Sequence, residues 1–169
     1  MRIGIIGASK IEYLEEVNDK ARELLEKIAR AVAKSGNDIV ICADKGSVSE
    51  FFAQKYSLFG GRKVYGIIPL DDKEFGYSWV NTDLGEHINC GTWRNQPEKL
   101  NEETDVLLCL GYAVGVLSEV AYSKWFKPKP VYIIKRLASG KLPREVERSL
   151  QLRYVSLSEL EKLLKADKL

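Results

Sequence analysis

The sequence predicts an α/β domain of three layers, with a doubly wound, mainly parallel sheet between helices. Three observations carry that prediction. Apolar runs of strand length alternate with stretches of helical periodicity from the first residues on, the βαβαβ order that goes with parallel strands and right-handed crossovers. Three of those runs end in turns built from small or polar residues: Gly7-Ala8-Ser9, Asp44-Lys45-Gly46-Ser47 and Gly111-Tyr112-Ala113-Val114-Gly115. With 169 residues, 45% hydrophobic and 30% charged, the chain has the size and composition of one soluble globular domain, residues 1–169.

Residues 2–6 read as a buried strand. Leu14, Val17, Ala21, Leu24, Leu25, Ile28 and Val32 recur at helical spacing and predict one long amphipathic helix, ended by Gly36 and Asn37. Residues 38–43 form the second strand, 47–59 a helix closed by Gly60-Gly61, and 63–68 a third strand stopped by Pro69. From Leu70 to Asn95 the periodicity weakens, and short strands are expected around 78–80 and 86–89, the segment lying over the sheet edge. Pro97 suits the first turn of a short helix reaching Glu103. Residues 106–110 are all apolar, the length of a buried strand and too short for a helix; Val116, Leu117, Val120 and Ala121 then mark the next helix. Residues 130–134 are a further strand, Ser139-Gly140 a surface loop and 153–155 an edge strand. Ser156 and Glu159 have the spacing of a capping box that opens a C-terminal helix.

Composition excludes several functions. A net charge of +2 gives no support to a nucleic-acid or membrane-surface partner. No apolar run approaches the roughly 20 residues of a membrane-spanning helix, and the opening residues lack the shape of a signal peptide. Cys42, Cys90 and Cys109 are scattered, odd in number and without C-x-x-C spacing, which reads as a reduced, cytoplasmic protein. His87 is the only histidine, so a multi-histidine metal site is not expected, nor is a resident cofactor. The G-x-S-x-G elbow and the P-loop pattern are both absent, and Gly4-x-x-Gly7 lacks the full dinucleotide fingerprint.

In a doubly wound sheet the turns after the strands lie along one edge and converge on one ligand. The candidate ligand-binding residues are therefore Gly7, Ala8 and Ser9; Lys45, Gly46 and Ser47; and Gly111, Ala113, Val114, Gly115 and Val116. Their backbone N–H groups, with the positive end of a helix dipole, suit an anion. Ser9 and Ser47 are either phosphate donors or helix N-caps, two roles that coexist. Arg94 has the side chain best shaped for a bidentate phosphate contact, and Asn95 follows it; an exposed arginine and a turn residue are the plainer reading. Glu119 stands one helical turn above Gly115 on the same side, a carboxylate beside a bare glycine next to the anion cradle. Tyr122, Trp125 and Phe126 give the same helix more aromatic surface than one sheet face needs, which points to a homo-oligomer.

These motifs resemble the Rossmann-like superfamily that includes the Lonely Guy phosphoribohydrolases, the proteins labelled lysine decarboxylases, the molybdenum-cofactor carriers and the DNA-processing protein A group. Its members carry a first strand ending in G-A/G-S, a glycine turn after the second strand, G-I-I-P at the third, an Arg-Asn or Arg-Lys pair, and P-G-G-x-G-T-x-x-E. Here Ile6-Gly7-Ala8-Ser9, the Asp44 to Ser47 turn, Gly66-Ile67-Ile68-Pro69, Arg94-Asn95 and the stretch from Gly111 to Glu119 resemble them. The resemblance runs from Arg2 to about Ile134 and implies a three-layer Rossmann-like fold in a cytoplasmic homo-oligomer that binds a nucleotide or a nucleotide-derived cofactor. It also implies an alternative, a phosphoribohydrolase that cleaves the N-glycosidic bond of a nucleoside 5′-monophosphate, with Arg94 and Glu119 catalytic. The chain departs from the pattern at Gly111-Tyr112-Ala113 for Pro-Gly-Gly, at Val116 for threonine, and at Asp44-Lys45 where glycines are usual. Those departures favour binding over turnover.

Overall fold

The computed structural model describes residues 1–126 and 129–166. Among them, β1 (Arg2–Gly7), β2 (Asp38–Ile41), β3 (Val64–Ile68), β4 (Glu86–Asn89), β5 (Val106–Leu110), β6 (Val131–Ile134) and β7 (Leu152–Val155) form one sheet in the order β4-β3-β2-β1-β5-β6-β7. Every strand pairing in it is parallel. The chain winds outward from β1 in one direction through β2 and in the other through β5, so the switch point lies between β1 and β5, with the turns after β1, β2 and β5 at one edge.

Alternation along the strands divides the core into two layers. Ile3, Ile5, Ile39, Ile41, Leu108 and Leu110 face one cluster with Leu14, Leu25, Ile28, Phe52 and Leu160. These come from α1 (Ile11–Val17), α2 (Ala21–Lys34), α3 (Val48–Leu58) and α7 (Leu157–Lys165). Ile6, Val40, Ile67, Leu107, Cys109 and Ile133 face the other, covered by Leu100 of α4 (Gln96–Glu102) and by Val116 and Val120 of α5 (Val114–Tyr122). A short helix, α6 (Arg144–Glu147), was not foreseen from the sequence. No described helix is long and apolar enough to cross a membrane. The expected capping box is formed, with Ser156 Oγ accepting from the Glu159 N–H and Glu159 Oε2 accepting from the Ser156 N–H.

Three expectations are corrected. The single helix through residues 14–32 is two helices, because Asn18 takes an extended backbone (φ −152°, ψ 113°) and spends its side chain on the Lys20 N–H (3.1 Å) and the Arg136 carbonyl (3.2 Å). Such local bonds compete with the helix ladder. Apolar spacing continues across the break, although Val17 ends up exposed. Residues 78–80 form no strand. Val80 makes one antiparallel bridge to Asp44, while Lys45 N–H donates to the Trp79 carbonyl and Asn81 N–H to the Ala43 carbonyl. The same contacts end β2 at Ile41 rather than at residue 43, since the Ala43 carbonyl is used by the loop.

Candidate functional site

The turns after β1, β2 and β5 meet at a cleft of about 250 Å3. Gly7 and Ser9 line it from the first turn, Cys42, Asp44, Ser47 and Ser49 from the second, and Ala113, Gly115, Val116 and Glu119 from the third. Trp93 and Gln96, around the start of α4, complete the wall.

Each turn has a local cause. A Cβ on Gly7 would stand 2.7 Å from the Val48 side chain and 3.3 Å from the Leu110 carbonyl, so only glycine lets α3 come this close to β1 and β5. Ser47 is the N-cap of α3, accepting from the Glu50 N–H at 3.1 Å, and it also lines the cleft. At the third turn the N-cap of α5 is Ala113, which supplies no side-chain acceptor to the first-turn amides. Gly115 leaves open space where a Cβ would go. Val116 is buried and gives the cleft an apolar wall at the position where the resemblance expects a threonine.

Glu119 is 7% exposed, and its Oε1 accepts from Gln96 Nε2 at 2.8 Å. Burial pushes its carboxyl up to about 7; the Gln96 hydrogen bond opposes that shift and the charge of Asp44 adds to it. Asn101 Nδ2 donates to the Glu119 backbone carbonyl at 2.9 Å, so α4 holds both ends of the residue. Asp44 is likewise raised by burial, eased by the Cys42 thiol 3.7 Å away and raised further by Glu50. Burial also pushes the Cys42 thiol well up.

Several sequence candidates stand elsewhere. Arg94 does not line the cleft; its guanidinium is exposed and paired with Glu74 at 2.7 Å. Asn95 is exposed beside it in a 3-10 turn, Trp93–Asn95. Lys45 is turned away, donating to the Ser78 carbonyl at 2.8 Å, and the Gly46 N–H is engaged by Glu50 Oε2 at 2.7 Å. Ala8 is buried, with its carbonyl accepting from the Val48 N–H. Gly111 adopts φ +108° against the Leu14 side chain, outside the cleft, and Val114 is 88% exposed. The Tyr112 hydroxyl donates to the Gly140 carbonyl at 3.1 Å.

The cleft also holds Gln96 and Trp93, which the sequence does not single out. Gln96 carries no signal beyond its place four residues before the buried Leu100 on a short helix. Trp93 is set by the loop before β4. Its indole N–H donates to the Gly76 carbonyl at 2.7 Å, its backbone N–H to Asp72, and its ring stacks on Trp79 with centroids 5.3 Å apart. Among the described residues no group of three His, Cys, Asp or Glu is placed to hold a metal ion.

No protein-family model matches the sequence, and no curated protein matches it. Solved structures do. The molybdenum cofactor binding protein from the phototrophic bacterium Rippkaea orientalis superposes with a TM-score of 0.73 at 19% identity, over 98% of this chain and 96% of that one. The molybdenum cofactor carrier protein of Chlamydomonas reinhardtii gives 0.71 at 16% identity over 98% and 96%. The structural-genomics target TM1055 gives 0.71 at 18% identity over 98% of each chain. At these identities the likeness shows a shared fold, the one expected from the turn motifs.

Proposed function

We propose that this chain binds a nucleotide or a nucleotide-derived cofactor in the cleft. One observation carries the reading: three strand-to-helix turns and the start of α4 converge at the switch point of a parallel sheet, the usual ligand position in such folds. Two proteins with the same fold, a molybdenum cofactor binding protein and a molybdenum cofactor carrier, support a small-molecule ligand. At about 250 Å3 the cleft is smaller than the ~300–1,000 Å3 of sites that enclose a whole drug-sized ligand. It takes one end of the ligand. The phosphate rests at the mouth, on the uncapped amides from Ala113 to Val116, with Ser9 beside them. Arg94 reaches it by leaving Glu74, an exposed pair of a kind worth only about 0–1 kcal/mol.

Val114, Leu117, Tyr122 and Trp125 form an exposed apolar stripe along α5 and the turn after it, flanking the cleft. A second copy of the chain covers it in this reading, which makes the protein a homo-oligomer. Neither nucleic acid nor a membrane is a partner.

The test is thermal stabilisation by nucleoside 5′-monophosphates and by molybdenum cofactor. A ligand at 100 times its Kd that binds only the folded state adds about 2.7 kcal/mol. No shift with any of them removes the reading. A second reading, hydrolysis of the N-glycosidic bond of a nucleoside 5′-monophosphate, is favoured by one observation, the Glu119 carboxyl at about 7, where a general acid or base works best. Release of free base that Glu119→Gln abolishes, with binding retained, would establish it. Slow release or none is expected, because Val116 offers the phosphate no hydroxyl and Asp44 opposes its charge.

A further inference from the structure

Among the described residues, the floor of the cleft carries acids and acceptors and no cation. Asp44 and Glu119 lie there, and none of the lining residues is Lys, Arg or His. Three basic residues directly follow lining residues in sequence: Lys45 is engaged by the Ser78 carbonyl, Arg94 by Glu74, and Lys10, after Ser9, is exposed with its ammonium 6.0 Å from the Tyr13 ring centroid. A phosphate on this floor would meet two carboxyl groups without a counter-charge, where burial strengthens the repulsion.

Gln96 supplies a second, independent observation. Gln96 and Glu119 are both more than nine-tenths buried. The Gln96 amide nitrogen is spent on one oxygen of Glu119, which leaves the other Glu119 oxygen and the Gln96 carbonyl oxygen with no hydrogen bond from the described residues. Both residues line the cleft, and neither oxygen is among the sealed, unpaired side-chain atoms of the described residues. With Glu119 ionised, above about pH 7, both oxygens are acceptors and call for a partner that donates. Trp93 lines the same cleft, its ring held in place by Gly76 and Trp79.

We infer that the cleft floor recognises the N–H-bearing edge of an amino-substituted planar nitrogen heterocycle, seated against Trp93 with its donors on Gln96 and Glu119. This rests on the nucleotide-binding reading and adds which end of the ligand enters: the base goes in and the phosphate stays at the mouth. A ring with a carbonyl in place of the amino group keeps only its ring N–H as a donor on that edge, which sets acceptor against acceptor at one of the two oxygens and leaves it unpaired, the kind of mismatch that polar sites reject most strongly.

Calorimetric titration of the full chain at pH 8 with the 5′-monophosphates of adenosine, guanosine and inosine, and with ribose 5-phosphate, tests it. The tighter of the two amino-bearing nucleotides is expected to bind at least tenfold better than inosine 5′-monophosphate and than ribose 5-phosphate. In Gln96→Leu the preference over inosine should shrink to within about threefold. Inosine 5′-monophosphate or ribose 5-phosphate binding as tightly as the amino nucleotides overturns the assignment and leaves nucleotide binding standing. Should Gln96→Leu not fold, the comparison of ligands on the unaltered chain decides alone. Failure of all four to bind overturns the nucleotide reading, and this inference with it.

Discussion

Gln96 Nε2 lies 2.8 Å from Oε1 of Glu119, and this contact joins the first residue of α4 to the middle of α5 beneath the cleft. One turn further along α4, Asn101 Nδ2 takes the carbonyl of the same glutamate. Glu119 is therefore fixed through its carboxyl and its backbone by a neighbouring helix, in surroundings that disfavour its charge. The predictions below start from that arrangement and move outward to the rim.

Glu119 makes stability fall as pH rises. Its carboxyl sits at about 7 in the folded chain, above the ordinary 4.5. Between those values the folded state keeps a proton that the unfolded state has released. The contribution is complete below the unfolded value and lost as pH climbs through 7, an effect on the order of 3 kcal/mol at most. Glu119→Gln keeps an acceptor for Gln96 and removes the titration. In denaturant unfolding at pH 5 and pH 8, the stability of the unaltered chain relative to the variant should drop by roughly 1–3 kcal/mol. Parallel pH dependence in both proteins would contradict the raised carboxyl.

Arg94→Ala should leave folding stability within about 1 kcal/mol, because both members of its pair with Glu74 are exposed. Affinity for a nucleoside 5′-monophosphate should fall about tenfold or more, the loss expected from one charge-assisted hydrogen bond. Titration calorimetry reads the affinity. A variant that binds as well as the parent takes Arg94 out of the site, and one that unfolds makes its role structural.

Val116→Thr restores a hydroxyl to the third turn with little change of size. Placing that hydroxyl in a buried apolar position should cost stability on the order of 1 kcal/mol. Binding of a 5′-monophosphate should tighten if the phosphate rests on the amides around Val116. Unchanged affinity would put the phosphate elsewhere.

The exposed stripe on α5 should hold copies of the chain together. Sedimentation at micromolar concentration is expected to show a species larger than one chain, and Leu117→Asp combined with Trp125→Asp should reduce it to the monomer, since both side chains are exposed in the single chain. A lone monomer before any substitution would end this reading.

Much of the architecture was legible in the sequence because its causes are local. Residues 106–110 form a buried strand since five apolar residues in a row suit a strand covered on both faces. Ser156 and Glu159 cap a helix because the two bonds span only three residues. Placement of the three turns at one edge followed from parallel winding. Tertiary structure decided the chemistry of the site. Arg94 and Lys45 have the charge a phosphate site wants, but long flexible side chains go to whatever acceptor folding brings near. Here those acceptors are Glu74, 20 residues from Arg94, and the Ser78 carbonyl, 33 residues from Lys45. Gln96 and Trp93 enter the cleft for the converse reason: their places are set by contacts with Glu119, 23 residues away, and Gly76, 17 residues away, which no local spacing encodes. A parallel sheet is specified by short-range pattern, whereas the polarity of its cleft depends on which distant segments outcompete water and each other for every polar side chain at the rim.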